Sequence, residues 1–454
     1  MRIPDWIVSH LCEPAWDLYE GSARLRTYRE LARRQFDSTA ALAARREQRL
    51  GAIVRHAAAA SPFHRARLAA AGIDPAGVRA IADLRDLPLL TKADVRAHLD
   101  EILATTYRRE ELVPARTGGS TGTPLLVYCD RRGVQRRHGA ALLADTWSGW
   151  RLGQPAAAVW GNPPQLRSLR NRVRRVLKDR ILYLDTMRVN QASVREFVAG
   201  WRRLRPRLLY GHARSLYLLA LILEELGETL RPRGLVATSM MLLKPERAVI
   251  ERVFACPATD RYGCEEVSLI ACECERHAGL HVNAEHAIVE VLRPDGAPCD
   301  PGEEGRIVVT ELVNLGMPML RYEVGDHGAW HGQPCPCGRP HPLLRTVTGR
   351  TADFLVAADG SRVAGISLIE RTLTRYPGIA QMQVVQDQVG RIDLNVVRAG
   401  DWDETVARAL VQVFRDALGG SPQVVIHFRE TIPQEPNGKY RFSICRVPGE
   451  SREA

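Results

Sequence analysis

Lysine is nearly absent from this 454-residue chain: of 63 basic residues only four are lysine, Lys92, Lys178, Lys244 and Lys439. Aromatic residues are sparse as well, at 6%. No run of roughly 20 apolar residues occurs, so no helix is expected to span a bilayer. The start, Met1-Arg2-Ile3-Pro4, lacks the charged flank and apolar core of a signal peptide. Internal repeats and low-complexity tracts are missing, which sets aside solenoids and fibres. The expected setting is a reducing cytoplasm. There the ten cysteines read as buried small residues or metal ligands rather than disulfides.

What is present suits a soluble globular chain, with 45% hydrophobic and 25% charged residues. The length allows a large core and two domains. The net charge of +11 comes almost entirely from arginine. These arginines are scattered, with a local group at Arg170, Arg172, Arg174 and Arg175, and no long basic run interleaved with aromatics. That pattern points to solvated surface or a small anionic ligand rather than nucleic acid. A membrane partner is not expected, and a homodimer stays open.

Residues 1–100 read as helical, with Thr91 as a helix N-cap. From about residue 110, short apolar runs alternate with helical patterns. Strands are expected at Leu125–Tyr128, Ala157–Trp160, Leu208–Tyr210, Gly234–Thr238, Ala287–Leu292 and Arg306–Thr310. Helices fit Arg136–Trp147, Ala192–Arg203, Arg214–Leu226 and Pro245–Phe254. After Gly349-Arg350 comes a smaller α+β pattern whose last strand is Gln423–Phe428. The expected fold class is therefore α/β. A large mixed α/β domain over 1–349 would be followed by a small mobile α+β domain over 350–454.

Five motifs could carry chemistry. Thr117-Gly118-Gly119-Ser120-Thr121-Gly122-Thr123-Pro124 combines close backbone approach with hydroxyl donors, as a phosphate loop requires. It lacks the Gly-Lys-Ser/Thr ending of the strand–loop–helix phosphate motif, and alone it is equally an ordinary turn. In Tyr262-Gly263-Cys264-Glu265-Glu266, the ring could stack on a purine and a carboxylate could hold Mg²⁺. Asp326, after a glycine turn in Arg321-Tyr322-Glu323-Val324-Gly325-Asp326, suits the two hydroxyls of a ribose. Gly349-Arg350-Thr351-Ala352-Asp353 falls at the expected domain boundary. Asn437-Gly438 is a strong turn signal that would present Lys439 at a loop tip.

In this order the motifs resemble those of the adenylate-forming superfamily. Leu87–Asp94 (Leu-Pro-Leu-Leu-Thr-Lys-Ala-Asp), Tyr262–Glu266 and Arg321–Asp326 resemble its phenylacetate–CoA ligase-like branch. The resemblance covers essentially the whole chain. It implies activation of a carboxylic acid, aryl or arylacetic at family level, by ATP to acyl-AMP and pyrophosphate. Transfer to coenzyme A as a thioester would follow. A nitrogen nucleophile as acceptor, and a nucleotide-binding relic without turnover, remain alternatives. Residue by residue, Thr117, Ser120, Thr121, Gly122 and Thr123 would wrap the ATP phosphates. Tyr262, followed by Gly263, would pack on adenine, and Glu266 would hold Mg²⁺. Asp326 would hold the ribose with Arg350, and Asp353 would lie at the hinge. Lys439 would reach the carboxylate and α-phosphate, where a cation lowers the cost of bringing two anions together. Trp160, Tyr210, Gly211, His212 and Met240 are candidates for the acyl pocket from their places after strands. The chain departs from the family pattern at Met240-Met241, where an Ala-Glu pair is usual, and at Thr123, where a lysine is common.

Two cysteine clusters remain, Cys272-Glu273-Cys274-Glu275-Arg276-His277 and Cys335-Pro336-Cys337-Gly338. Thiolate and imidazole are the ligands of tetrahedral structural zinc. The expected set is Cys274, His277, Cys335 and Cys337, with Cys272 and His281 in reserve.

Overall fold

The computed structural model describes residues 3–116, 125–161, 168–186, 189–348, 354–376, 378–400, 402–432 and 441–447. The chain divides into two compact units. One comprises Met1–Ala115, Leu126–Gln154 and Thr259–Thr348; the other comprises Arg116–Leu125, Pro155–Ala258 and Gly349–Ala454. The central segment Pro155–Ala258 thus groups with the C-terminal residues.

The first unit opens with helices. Thr39–Ala60 is capped by the Ser38 hydroxyl, which accepts from the Ala41 amide, the usual remedy for an unpaired first-turn N–H. Its buried Leu50, Ile53, Val54 and Ala57 form one face. That face joins Leu84, Leu87, Ile288, Leu312 and Leu320 in a single cluster, which seats the N-terminal helices on the strands behind the site. Thr91 caps Lys92–Ala97 as expected, within a reciprocal capping box with Asp94. Strands of this unit follow the order Ala287–Leu292, Glu304–Glu311, Tyr322–Trp330, Leu343–Thr348, Leu280–Val282, Ser268–Glu273, Ala258–Cys264, with antiparallel neighbours throughout. Five of these seven lie outside the expected strands. Their Gly, Cys and His residues hide the period-2 pattern, because both faces of much of this sheet are buried.

In the second unit, four parallel strands run in the order Gly234–Thr238, Leu208–His212, Ala156–Trp160, Ile181–Asp185. Gly234–Thr238 is buried at every position and Ala156–Trp160 at all but the last, the mark of a sheet covered on both faces. Helices Gln191–Leu204, Ala213–Glu225 and Lys244–Phe254 contribute Phe197, Trp201, Leu216, Leu219, Ile250 and Phe254 to the covering core. The C-terminal part of this unit has a four-stranded sheet in the order Gln423–Phe428, Arg391–Arg398, Ile379–Gln388, Ser443–Cys445. The last of these is an added strand, parallel to Ile379–Gln388, that three residues are too short to announce in sequence. The architecture is mixed α/β with a C-terminal α+β portion. Among the described residues, no helix is long and apolar enough to cross a membrane.

Candidate nucleotide site and metal centre

Tyr262 and Asp326, 64 residues apart in sequence, meet in the first unit: the tyrosine hydroxyl donates to Asp326 Oδ2 at 2.9 Å. Their strands are four steps apart in the sheet order. A flat sheet would separate them by about 19 Å at ~4.8 Å per step, so the sheet is strongly curved between these two strands. A second tyrosine–carboxylate pair stands beside the first in sequence. Tyr322, wholly buried, donates to Glu266 Oε1 at 2.7 Å.

Glu266 lies in the tight turn between Ala258–Cys264 and Ser268–Glu273. Gly263 permits that turn, because a Cβ there would stand 2.3 Å from the Ser268 carbonyl oxygen. The turn is also held from outside. Arg137 donates to the Glu266 carbonyl at 2.6 Å and forks onto both oxygens of buried Glu311 at 2.7 and 2.6 Å. The two-bond fork suits guanidinium and carboxylate geometry.

The Leu87–Asp94 and Arg321–Asp326 motifs are one structure. The Leu90 amide donates to the Arg321 carbonyl, and the Glu323 amide donates to the Leu90 carbonyl, each at 2.9 Å. Buried Arg321 donates to the carbonyls of Leu84, Arg85 and Leu87 and to Glu290. Its backbone is left-handed, at φ 52°. Helix Lys92–Ala97 therefore starts beside the strand that carries Tyr322 and Asp326. The Lys92 ammonium lies 3.3 Å from where a Cβ on Gly325 would stand. One turn further on, burial lowers the Arg96 guanidinium, while Tyr322 and Glu266 pull it back up. Lys92, Arg96, Arg137 and Tyr322 were given no site role by the sequence. The available signal was Lys92 itself, one of four lysines and inside the Leu87–Asp94 motif.

In the second unit, Trp160, Tyr210 and His212 sit at or near the C-terminal ends of neighbouring parallel strands. Trp160 lies 4.3 Å from the His212 ring and 6.3 Å from that of Tyr210, between centroids. Burial lowers His212 to about 4, so the imidazole is neutral at pH 7. Gly211 allows the close strand pairing, since a Cβ there would meet the Val159 carbonyl oxygen at 2.7 Å. Met240 packs on the parallel-sheet core. Thr117, Ser120, Thr121, Gly122, Thr123, Arg350, Asp353 and Lys439 lie outside the described residues.

The cysteine clusters converge, with a different histidine beside them from the one expected. Donor atoms of Cys274, His281, Cys335 and Cys337 all lie within 4.8 Å of one another. His277 is not among them. It sits in a turn at φ 48° with Nδ1 3.2 Å from Glu273 Oε2. His281 replaces it because it lies on strand Leu280–Val282, paired with Cys272 on one side and Leu343 on the other. Cys272 is buried in the adjoining cluster but is not part of the quartet. The Cys274 and Cys335 sulfurs are 3.7 Å apart, and Cys337 Sγ is 3.4 Å from His281 Nε2. Around tetrahedral zinc, with bonds of ~2.3 Å to sulfur and ~2.0 Å to nitrogen, such edges measure about 3.8 and 3.5 Å. The donor set thus fits zinc in type and number, and these two edges match its spacing. Burial pushes the Cys274 thiol up to about 12.

A family model for the CapK C-terminal domain matches residues 355–446. The chain is 22% identical over 375 residues to Protein CapK of Staphylococcus aureus, covering 81% of each chain. It is 26% identical over 371 residues to a phenylacetate–coenzyme A ligase of Thermus thermophilus, covering 78% of this chain and 80% of that one. Among solved structures, a 2-hydroxyisobutyryl-CoA ligase with 2-HIB-AMP and CoA in the thioesterification state superimposes with a TM-score of 0.61. The two are 18% identical, over 92% of each chain, and share a fold.

Proposed function

We propose that this chain, which belongs to the adenylate-forming superfamily on its phenylacetate–CoA ligase-like branch, is an AMP-forming acid–CoA ligase. In the first half-reaction a carboxylate oxygen attacks the α-phosphorus of ATP, forming acyl-AMP and expelling pyrophosphate. In the second, the thiol of coenzyme A attacks the acyl carbon, losing its proton, and AMP leaves with the bonding pair. The aromatic wall of Trp160, Tyr210 and His212 supports an aryl or arylacetic acid as substrate.

The observation that carries this reading is the convergence of Tyr262 with Asp326 and of Tyr322 with Glu266. Tyr262 would face adenine, Asp326 would take the ribose hydroxyls with Arg350, and Glu266 would hold Mg²⁺. That ion takes oxygen donors and neutralises phosphate charge when bound. Thr117, Ser120, Thr121, Gly122 and Thr123 would cradle the phosphates. Lys92 and Arg96 would add cationic charge that this loop, with Thr123, does not supply itself. Lys439 would bridge the carboxylate and α-phosphate. Residues 350–454 would act as a lid turning about Asp353 between the half-reactions. Zinc held by Cys274, His281, Cys335 and Cys337 would be structural, tying the turn after Glu273 to the turn at Cys335–Cys337.

The test is pyrophosphate release from Mg-ATP across a panel of aromatic and aliphatic acids, with hydroxylamine trapping acyl-AMP. Acid-dependent release that collapses in Lys439→Ala, with a thioester formed on adding coenzyme A, is expected. ATP binding without release for any acid would overturn the proposal. Adenylation that yields amide from an amine and no thioester would overturn the choice of acceptor alone.

A further inference from the structure

The segment Ser168–Arg180 is amphipathic in an inverted sense. It forms one continuous helical stretch, Leu169–Arg174 followed by Arg175–Asp179, capped by the Ser168 hydroxyl. Leu169 and Val173 are i, i+4 neighbours on one face of the α-helical Leu169–Arg174, and Val176 follows in the π-helical turn Arg175–Asp179. That face is turned outward: the three are 77%, 40% and 61% exposed. Lys178 and Arg180, which would ordinarily face solvent, are buried. The Arg180 carbonyl accepts from the Ala156 amide and its own amide donates to Arg175, anchoring the helix end to the parallel sheet. Arg170, Arg172 and Arg175 of the same stretch are exposed as well. The one acid of the segment, Asp179, is paired with Arg174 at 3.2 Å.

We propose that this helix is an interfacial anchor that lays its aliphatic stripe into the surface of an anionic lipid bilayer. Charge complementarity selects this occupant. Three guanidinium groups around an aliphatic stripe match a plane of phosphates above an acyl layer, and arginine takes phosphate oxygens two at a time. A basic helix with an outward apolar face is the sequence form of a membrane-surface segment. A second copy of the chain across a twofold axis would set arginine against arginine. A nucleic-acid backbone would leave the aliphatic stripe against charged phosphates with nothing apolar to cover it. Three aliphatic side chains without an aromatic anchor make the docking shallow, reversible and salt-sensitive. The inference stands apart from the proposed reaction and departs from the absence of a membrane partner expected from sequence. The chain would lie on a membrane without crossing it.

The full-length protein is mixed with vesicles of phosphatidylcholine alone, or of phosphatidylcholine with phosphatidylglycerol, and the bound fraction is read by flotation at low and high salt. Binding to the anionic vesicles is expected, weaker on the order of a hundredfold on neutral ones and reduced at high salt. The triple variant Leu169→Ser, Val173→Ser, Val176→Ser should lose binding on the order of tenfold or more. Arg170→Gln, Arg172→Gln, Arg175→Gln should lose about a hundredfold. Because these side chains are exposed, both variants should keep the wild-type melting temperature and pyrophosphate release. No vesicle binding by the wild type overturns the proposal, as does full binding by the serine variant, which would indicate electrostatic adsorption alone. A wild-type dimer that the serine variant converts to monomer assigns the stripe to a second copy. Retention by an immobilised acidic protein without vesicle binding assigns it to a protein partner. Either result overturns the membrane reading.

Discussion

Tyr322 shows how much one hydroxyl can govern at the residue scale. It is wholly buried, and its bond to Glu266 Oε1 is made where a carboxylate is costly to leave unsolvated. Tyr322→Phe keeps the ring and removes the donor. The expected outcome is a loss of about 1–3 kcal/mol in unfolding free energy by urea titration, with weaker Mg²⁺ dependence of pyrophosphate release. Unchanged stability and unchanged Mg²⁺ response would show that Glu266 is held by its turn alone. The sequence placed Glu266 and Asp326 in a site but could not supply the tyrosine that supports the glutamate. Nothing in a Tyr-Glu spacing of 56 residues signals contact.

At the scale of elements, the cysteine loops carry the clearest test. Spacing alone favours His277, three residues after Cys274, because short Cys-x-x-His units are common in zinc sites. Strand pairing decides otherwise: the register of Leu280–Val282 between its neighbours brings His281 to the thiols. Protein purified without chelator should contain about one zinc per chain by elemental analysis. His281→Ala should lose it and melt at a lower temperature, while His277→Ala keeps it. Metal retained in the first and lost in the second would restore the spacing-based set. No metal in the wild type would end the proposal. The interlock of Leu87–Asp94 with Arg321–Glu323 makes the same point. The two motifs were legible separately, and their backbone pairing was not.

For the whole molecule, acid sensitivity can be read from its buried histidines. His64 Nε2 donates to the Pro318 carbonyl at 2.8 Å, and Arg67 donates to Nδ1 at 3.0 Å. Burial, and then the Arg67 charge, lower the ring to about 3 from its ordinary 6.5. The folded chain therefore keeps this imidazole neutral while the unfolded chain protonates it. Its contribution is complete above pH 6.5 and is lost as pH falls towards 3, at about 1.4 kcal/mol per pH unit. The urea midpoint should fall between pH 7 and pH 5, and His64→Gln should fall less over that interval. Equal slopes would mean that the ring is solvated in the native state.

By itself, the sequence determined the chemistry-bearing residue types, their order, and the alternation of apolar runs with helices in the parallel-strand region. Those are local properties: propensity, capping and periodicity act over a few residues. Thr91 capping Lys92–Ala97 and the buried strands Ala156–Trp160 and Gly234–Thr238 are legible for that reason. Only the tertiary structure decided which distant groups meet. Tyr262 reaches Asp326 because an antiparallel sheet curves, His281 rather than His277 stands with the thiols because a strand sets its register, and Leu169, Val173 and Val176 are left exposed while Lys178 and Arg180 of the same stretch are buried. Each outcome depends on which face of an element the rest of the chain covers, and a linear pattern is the same for either face.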